Sequence, residues 1–180
     1  MVIVDHNPDV NVHDSEDNGG TPLHYAARRG LLKLVQKLLE LNAEVNSCCH
    51  RHKSTPLLMA SQFGHTDVVQ LLLDYNADVY ACDGDGDTPL HCATYGGHPE
   101  IARILLKLNL EVNSRNNEGS TPLHRASEIR RIGSAEVVRL LLDYGADVRA
   151  RNLRGQTASD VAHKCGQDEI VQLLSQHMAE

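Results

Sequence analysis

The chain has 180 residues, of which 41% are hydrophobic but only 3% aromatic, and its formal net charge is −7. The core must therefore be built mainly from Leu, Val, Ile and Ala, which favours thin layers of small helices over one deep core. The acidic balance disfavours nucleic acid as a partner, because binding to its backbone normally requires a basic excess. No membrane-spanning helix or signal peptide is predicted, since the chain has no apolar run of about 20 residues and no basic, apolar N-terminus.

The cysteine content gives no sign of a disulfide framework. There are five Cys, an odd number with no disulfide spacing. Reduced thiols in a cytoplasmic and/or nuclear protein fit this pattern best.

A short motif recurs along the whole chain. Thr-Pro-Leu-His begins at Thr21, Thr88 and Thr121, with variants Thr-Pro-Leu-Leu at Thr55 and Thr-Ala-Ser-Asp at Thr157. A Leu-rich stretch follows each copy in phase, and an Ala-Asp-Val-like marker follows the first four, at residues 43–46, 77–80, 110–113 and 146–149. Three markers in phase predict a repeat architecture, in which each unit buries its apolar stripe against its neighbours.

Each repeat predicts two helices. Thr followed by Pro is typical of a helix start, and the first helix is stopped by Gly30, Gly64, Gly97 or, after an insertion, Gly133. Apolar residues at helical spacing then predict the second helices at about 32–41, 66–75, 99–108, 135–144 and 168–177. Gly-, Asp- and Asn-rich residues between the units predict tight turns.

On these motifs the chain resembles the ankyrin repeat family over about residues 10–177. The resemblance implies an all-α repeat solenoid of stacked helix–turn–helix units with β-hairpin tips. We assign residues 1–12 to the remnant of a preceding unit and 13–45, 46–79, 80–112, 113–148 and 149–180 to repeats 1 to 5. Repeat 4 carries an insertion at 128–134 and repeat 5 is polar and cap-like. We expect the chain to be cut from a longer protein, because the first helix of the initial unit is missing.

Several chemical motifs have simpler structural interpretations. His24, His91 and His124 recur at one structural phase, so they are expected to tie loops together rather than to catalyse or bind metal. The segment 48–52, Cys-Cys-His-Arg-His, lacks zinc-ligand spacing and is interpreted as an exposed irregular tip. The segment 83–87 lacks the later ligands of a calcium loop and is interpreted as a solvated acidic hairpin tip. No catalytic, cofactor or metal site is predicted, and the chain is not expected to be an enzyme.

The resemblance implies that a partner docks on the concave face formed by tips and first helices. The positions that vary there are predicted to bind it: Arg28, Arg29, His50, Arg51, Gln62, Phe63, Asp83, Asp85, Tyr95, Arg125, Glu128, Arg151 and Arg154. Phe63 and Tyr95 are candidate hot spots, because aromatic residues and Arg dominate interface energetics. Partial packing of both rings against the neighbouring tip is an equally good interpretation.

The charge distribution along the chain is polarised. Residues 1–20 hold five acidic residues and no Lys or Arg, whereas Arg is frequent from Arg115 onward, at Arg125, Arg130, Arg131, Arg149, Arg151 and Arg154. A solvated surface explains single charges. The distribution as a whole suggests a field that steers an acidic or phosphorylated segment towards the C-terminal half.

Two asparagines have a second interpretation. Asn46 and Asn113 follow Glu-Val, with Leu seven residues upstream. This context is similar to that of ankyrin asparagines hydroxylated by an oxygenase. The alternative is a turn Asn bonded to the backbone.

Together these features predict a monomeric, non-catalytic module that binds a protein or peptide partner, within a larger intracellular scaffold or adaptor. The alternative function is a substrate-recruiting or targeting segment of a larger enzyme, such as a ubiquitin ligase or kinase, whose catalytic part lies outside this chain. A purely structural spacer is a third possibility. Neither nucleic acid nor membrane is an expected partner.

Overall fold

The computed structural model describes residues 9–14, 19–128 and 131–178, which form ten α-helices arranged as five successive pairs. In chain order the pairs are α1 Pro22–Arg28 and α2 Leu32–Glu40, α3 Pro56–Phe63 and α4 Thr66–Asp74, α5 Pro89–Gly96 and α6 Pro99–Leu106, α7 Pro122–Glu128 and α8 Ser134–Asp143, α9 Ala158–Lys164 and α10 Asp168–His177. The predicted all-α repeat solenoid is confirmed, and the ends of the second helices lie within two residues of the predicted ones.

The first helices begin as the Thr-Pro motif predicts. The side chains of Thr55, Thr88 and Thr157 each accept a hydrogen bond from the backbone N–H three residues later, and Pro follows the first two. Helices α3 and α5 end at Gly64 and Gly97, whose φ values of 81° and 73° are left-handed. Gly adopts this conformation without a Cβ clash, which is why these helices stop after about two turns.

The second helices end on a different residue type. Asn42, Asn76 and Asn109 have φ values of 62°, 60° and 58°, and Gly145 with φ 82° holds the same place in the fourth repeat. Asn is the side chain that best tolerates the left-handed region. The chain therefore turns out of each second helix at a defined residue.

The two sets of helices pack differently. The first helices α1, α3, α5, α7 and α9 lie closer to their neighbours along the stack than the second helices do. Small residues, among them Ala60, Ala93 and Ala126, are fully buried between the first helices and permit this approach. The stack therefore curves, with the first helices on its inner side, and its core is a continuous layer of Leu, Val, Ile and Ala.

The tips between the pairs are turns. No strand occurs within the described parts of the chain, so the expected β-hairpin character of the tips is not shown. In the third, fourth and fifth tips a backbone hydrogen bond of 2.9–3.1 Å joins Asp83 to Asp87, Asn116 to Ser120 and Asn152 to Gln156. Inside each tip a second bond runs from the N–H of Gly86, Gly119 or Gly155 to the carbonyl of the first residue of that tip. One backbone bond also joins each neighbouring pair from the second tip to the fifth. The tips thus form a connected edge along the inner side of the stack.

Among the helices that the structure describes, none has both the length and the apolar character needed to cross a bilayer. All five cysteines are free; Cys49 and Cys92 are buried, and the other three are exposed.

Candidate functional site

The recurring histidines are part of the scaffold, as predicted. In His24, His91 and His124, Nδ1 accepts the backbone N–H of the Thr that begins the helix, at 3.0–3.3 Å. Nε2 then donates to a carbonyl of the next tip, that of Ser54, Ser120 or Gln156, at 2.9–3.1 Å. This pattern requires the neutral ring with its proton on Nε2. Burial lowers the pKa of all three histidines, in keeping with that state.

A second histidine series, which the sequence interpretation left unassigned, joins the opposite ends of the first helices. The Nε2 atoms of His65 and His98 lie 2.9 and 3.0 Å from the carbonyl oxygens of Arg28 and Gln62 in the preceding repeat. A Cβ added to Gly64 would lie 2.5 Å from the His98 ring. The Gly-His spacing of the sequence therefore encodes an inter-repeat contact that only Gly leaves room for.

An open groove of about 570 Å³ lies on the inner side of repeats 1 to 4, between the first helices and the tips. Eight of the residues predicted to bind a partner line it: Arg28, Arg51, Gln62, Phe63, Asp83, Asp85, Tyr95 and Arg125. A neighbouring depression of about 660 Å³ between α1, the start of α2 and Phe63 includes Arg29. The structure thus brings most of the predicted positions in repeats 1 to 3 together in one region.

Each of the two aromatic rings in the groove lies under an arginine. The Cζ atom of Arg28 is 5.1 Å from the Phe63 ring centre, and that of Arg125 is 4.8 Å from the Tyr95 ring centre. Phe63 remains 44% exposed, whereas Tyr95 is half-buried. Phe63 therefore offers apolar area to a partner, and Tyr95 combines partial exposure with packing inside the protein.

Arg125 also belongs to a partly buried ion network. It pairs with the carboxylates of Asp87 and Glu128, and Asp87 in addition accepts a bond of 2.7 Å from Asn116. Burial opposes the charge of Arg125, but the two carboxylates overcome this and raise its pKa; burial raises the pKa of Glu128. This network holds the third tip against α7.

The network corrects part of the sequence interpretation. Asp87 was assigned to a solvated acidic tip, but it is 2% exposed, and only Asp83 and Asp85 fit that description in part. Asp87 precedes the helix-starting Thr, where the other repeats have Gly, Ser or Gln. Asp at this position, together with Arg125 as the fourth residue of α7, is the sequence signal from which the Asp87–Arg125 ion pair could have been predicted.

The second tip is only partly exposed, in contrast to its sequence interpretation. Cys49 is buried with 1% exposure, although Cys48, His50 and His52 are exposed. The His50 ring is stacked on that of His13 at 4.7 Å, so His50 helps to pack the first tip against the second. Among the residues that the structure describes, no three His, Cys, Asp or Glu side chains are placed to hold a metal ion.

The arginines of the C-terminal half are largely engaged with neighbouring tips. Arg115 donates to the carbonyls of Gly119 and Arg151, and Arg151 donates to that of Gly155. Arg154 pairs with Glu118 at 3.0 Å, although both side chains remain more than half exposed. These three arginines therefore connect the tips to one another as well as carrying charge.

The insertion in repeat 4 lies only partly within the described residues, because 129 and 130, and with them Arg130, fall outside. Arg131 N–H donates to Ser134 Oγ at 3.2 Å, and Ile132 is fully exposed. Several predicted features at the start of the chain, among them residues 1–8 and Glu16, also lie outside the described residues.

Asn46 and Asn113 join the ends of consecutive repeats. Their Oδ1 atoms accept the backbone N–H groups of Asp78 and Asp147, both at 2.8 Å. Asn11 makes the equivalent bond of 2.8 Å with Glu44 N–H. The backbone-bonding role is confirmed, while hydroxylation of Asn46 and Asn113 stays a prediction.

The repeated helix pairs, left-handed Gly and Asn stops, and histidines that bond from one unit to the next define a helical repeat protein of the solenoid class. A family model described as ankyrin repeats (3 copies) matches residues 1–83, 33–116, 57–152 and 109–180. These matches together span the chain, which therefore belongs to the ankyrin repeat family. Comparison with curated protein sequences gives no match.

Proposed function

We propose that this protein is a non-catalytic binding module whose groove in repeats 1 to 4 holds a peptide segment or a domain of a partner protein. Ankyrin repeats are in general protein–protein interaction modules, which supports the class of function. We further propose that the module acts as a monomer in the cytoplasm or nucleus, within a larger scaffold or adaptor.

The observation that carries the proposal is the contrast between repeated and varied residues. The repeated side chains, such as His24 and His91, are buried and bonded within the solenoid. At the groove the repeats differ, and an exposed ring there, Phe63, is a typical interface anchor. Scaffold residues alone would not require this variation.

Site-specific photo-crosslinking tests the proposal with a matched pair of glutamines. A photoreactive amino acid replaces Gln62, an exposed groove residue at the end of α3, or Gln70, an exposed residue on the outer helix α4. We expect a protein adduct in cells from position 62 and none from position 70. Equal adducts at both positions, or none at either, would contradict the proposal.

A second pair of variants measures the contribution of the exposed ring. Phe63→Ala is expected to abolish the adduct at position 62. Tyr80→Ala removes an aromatic residue that is 70% exposed but does not line the groove, and it should leave the adduct unchanged. The expected loss is about 2 kcal/mol or more of binding free energy, as for an interface hot spot.

The asparagines form a separate part of the proposal. We propose Asn46 and Asn113 as substrates of an oxygenase, and an intact mass from native cells that shows no added oxygen would exclude it. We also propose that the charges of Arg151 and Arg154 contribute to binding, although both side chains bond within the tips. Charge reversal at both positions should then weaken binding and reduce its salt dependence.

A further inference from the structure

The charged residues around the groove fall into two groups that the structure distinguishes by their partners. Arg125, Asp87 and Glu128 neutralise one another within the partly buried network. Arg28 and Arg51, in contrast, form no ion pair with any described residue, and neither do Asp83 and Asp85, yet all four line the groove. Arg28, Arg51 and Asp85 are therefore available to a partner. Asp83 is available through its second carboxylate oxygen, because its Oδ1 atom accepts the backbone N–H groups of Asp85 and Asp87.

The available charges are ordered along the solenoid. Arg28 ends α1 in repeat 1, and Arg51 lies on the second tip. Asp83 and Asp85 lie on the third tip, next along the stack, which is joined to the second by the bond from Gly84 N–H to the His52 carbonyl at 2.7 Å. The groove is thus basic towards repeat 1 and acidic at repeat 3.

Apolar area lies between these charges on the groove floor. Phe63 and the half-buried Met59 belong to α3, and Tyr95 belongs to the next inner helix, α5. Each ring has an arginine over one face, which leaves its remaining exposed area to a side chain from outside. An apolar side chain that covers Phe63 would remove ordered water from both the ring and the neighbouring charges.

From this order we propose, on the basis of the function proposed above, that the groove binds a linear peptide segment of mixed charge. The segment carries an acidic side chain between Arg28 and Arg51, an apolar side chain on Phe63, and a basic side chain at Asp83 and Asp85. A uniformly acidic or uniformly basic segment would place like charges together at one end of the groove. Such juxtaposition is unfavourable and excludes wrong partners.

The experiment uses the whole chain and a phage-displayed library of random dodecapeptides as the probe. Peptides enriched on the wild-type protein are expected to share an acidic, an apolar and a basic residue in that spatial order, in either chain direction. The affinity of a synthetic enriched peptide is then measured by fluorescence anisotropy. Enrichment without a shared charge order, or no enrichment at all, overturns the proposal.

Two charge-reversal variants assign the ends of the peptide. Arg51→Glu and Asp85→Lys alter exposed side chains that make no hydrogen bond or ion pair with described residues, so the fold should be retained and circular dichroism checks this. Each variant is expected to lower the affinity for the peptide by about tenfold or more. Reversal of the peptide charge that faces the substituted residue should restore the affinity. Unchanged affinity in both variants refutes the assigned order.

Matched controls use exposed charges that do not line the groove. Lys33→Glu on α2 and Glu111→Lys beyond α6 change the net charge by the same amounts and should leave peptide affinity unchanged. The outcome also separates the two proposals. A protein adduct at position 62 without peptide selectivity would retain the binding function and refute the mixed-charge segment, whereas the absence of any adduct would refute the binding function itself.

Discussion

Three buried histidines and the half-buried His98 predict that the solenoid loses stability in mild acid. Burial lowers the pKa of His24, His91, His98 and His124 in the folded chain, relative to 6.5 in the unfolded one. Below pH 6.5 the unfolded chain therefore binds more protons than the folded chain, and the free energy of unfolding falls as the pH falls. The loss ends only when the pH reaches the folded-state pKa values.

The slope of this loss can be stated for each histidine. One proton bound only by the unfolded chain changes the unfolding free energy by about 1.4 kcal/mol per pH unit. Four such histidines give an upper limit of about 5.5 kcal/mol per pH unit, which is large beside a typical total stability of about 5–15 kcal/mol. Protonation of Nδ1 would also remove the acceptor for the Thr N–H, so there is a structural reason for the folded state to resist it.

The variant His91→Leu removes one of these four histidines and therefore its contribution to the acid slope. Leu58 occupies the corresponding place in α3 with 1% exposure, so the scaffold accommodates Leu there. The variant should lose up to about 1.4 kcal/mol per pH unit of the acid slope, whatever its stability at neutral pH. The chain has no Trp, so urea unfolding is followed by far-ultraviolet circular dichroism between about pH 7.5 and pH 5.

The refuting outcome is defined by the comparison of these two proteins. Both slopes are taken from free energies of unfolding measured over the same pH range. Equal slopes for wild type and His91→Leu would falsify the linkage argument, because the two proteins differ in the imidazole at position 91.

Three further substitutions test individual contacts, each by urea unfolding at neutral pH. Gly64→Ala should lower the free energy of unfolding by about 1–3 kcal/mol more than Gly155→Ala does. Both glycines have positive φ, but only a Cβ at position 64 would meet a histidine ring, so equal losses would contradict the steric argument. Ser61→Ala should stabilise the protein by up to about 1 kcal/mol, since the Ser61 hydroxyl is buried with no partner among described residues; destabilisation would argue against an unsatisfied hydroxyl. Asp87→Asn should cost about 3 kcal/mol and show non-additivity with Arg125→Met, whereas additive effects would mean that the ion pair contributes no coupling.

Local sequence signals were sufficient to predict the fold, because the same helix-start and helix-stop residues recur from repeat to repeat. Thr-Pro starts a helix through its own backbone chemistry, and Gly64 stops one through its own φ, so neither depends on distant residues. The Asn stops at Asn42 and Asn76 were missed because the interpretation looked for Gly alone. The β-hairpin character of the tips came from the family resemblance and is not shown in the described residues, where the backbone bonds of the last three tips close short turns.

The site was harder to predict, since exposure and pairing depend on residues from two or three repeats. In the sequence Asp87 belongs to the same acidic segment as Asp83, but in the structure Arg125, 38 positions later, pairs with it and Asp87 is buried. The sequence predicts Arg115 and Arg151 as unpaired surface charges. In the structure both donate to backbone carbonyls, and such partners cannot be identified from residue type. Position in a repeat thus predicts which face a side chain occupies, whereas its neighbours decide whether it is available.

This distinction changes where recognition is expected. Net charge along the sequence placed an anion-attracting surface in the C-terminal half, around Arg151 and Arg154. Arg28 and Arg51, which line the groove, lack the carboxylate and carbonyl partners that Arg115, Arg151 and Arg154 have. A charge already bonded within the protein contributes to a partner only after its own bond is lost or shared. Recognition of an acidic side chain is therefore expected beside Phe63, where charge is unpaired and apolar area is exposed together.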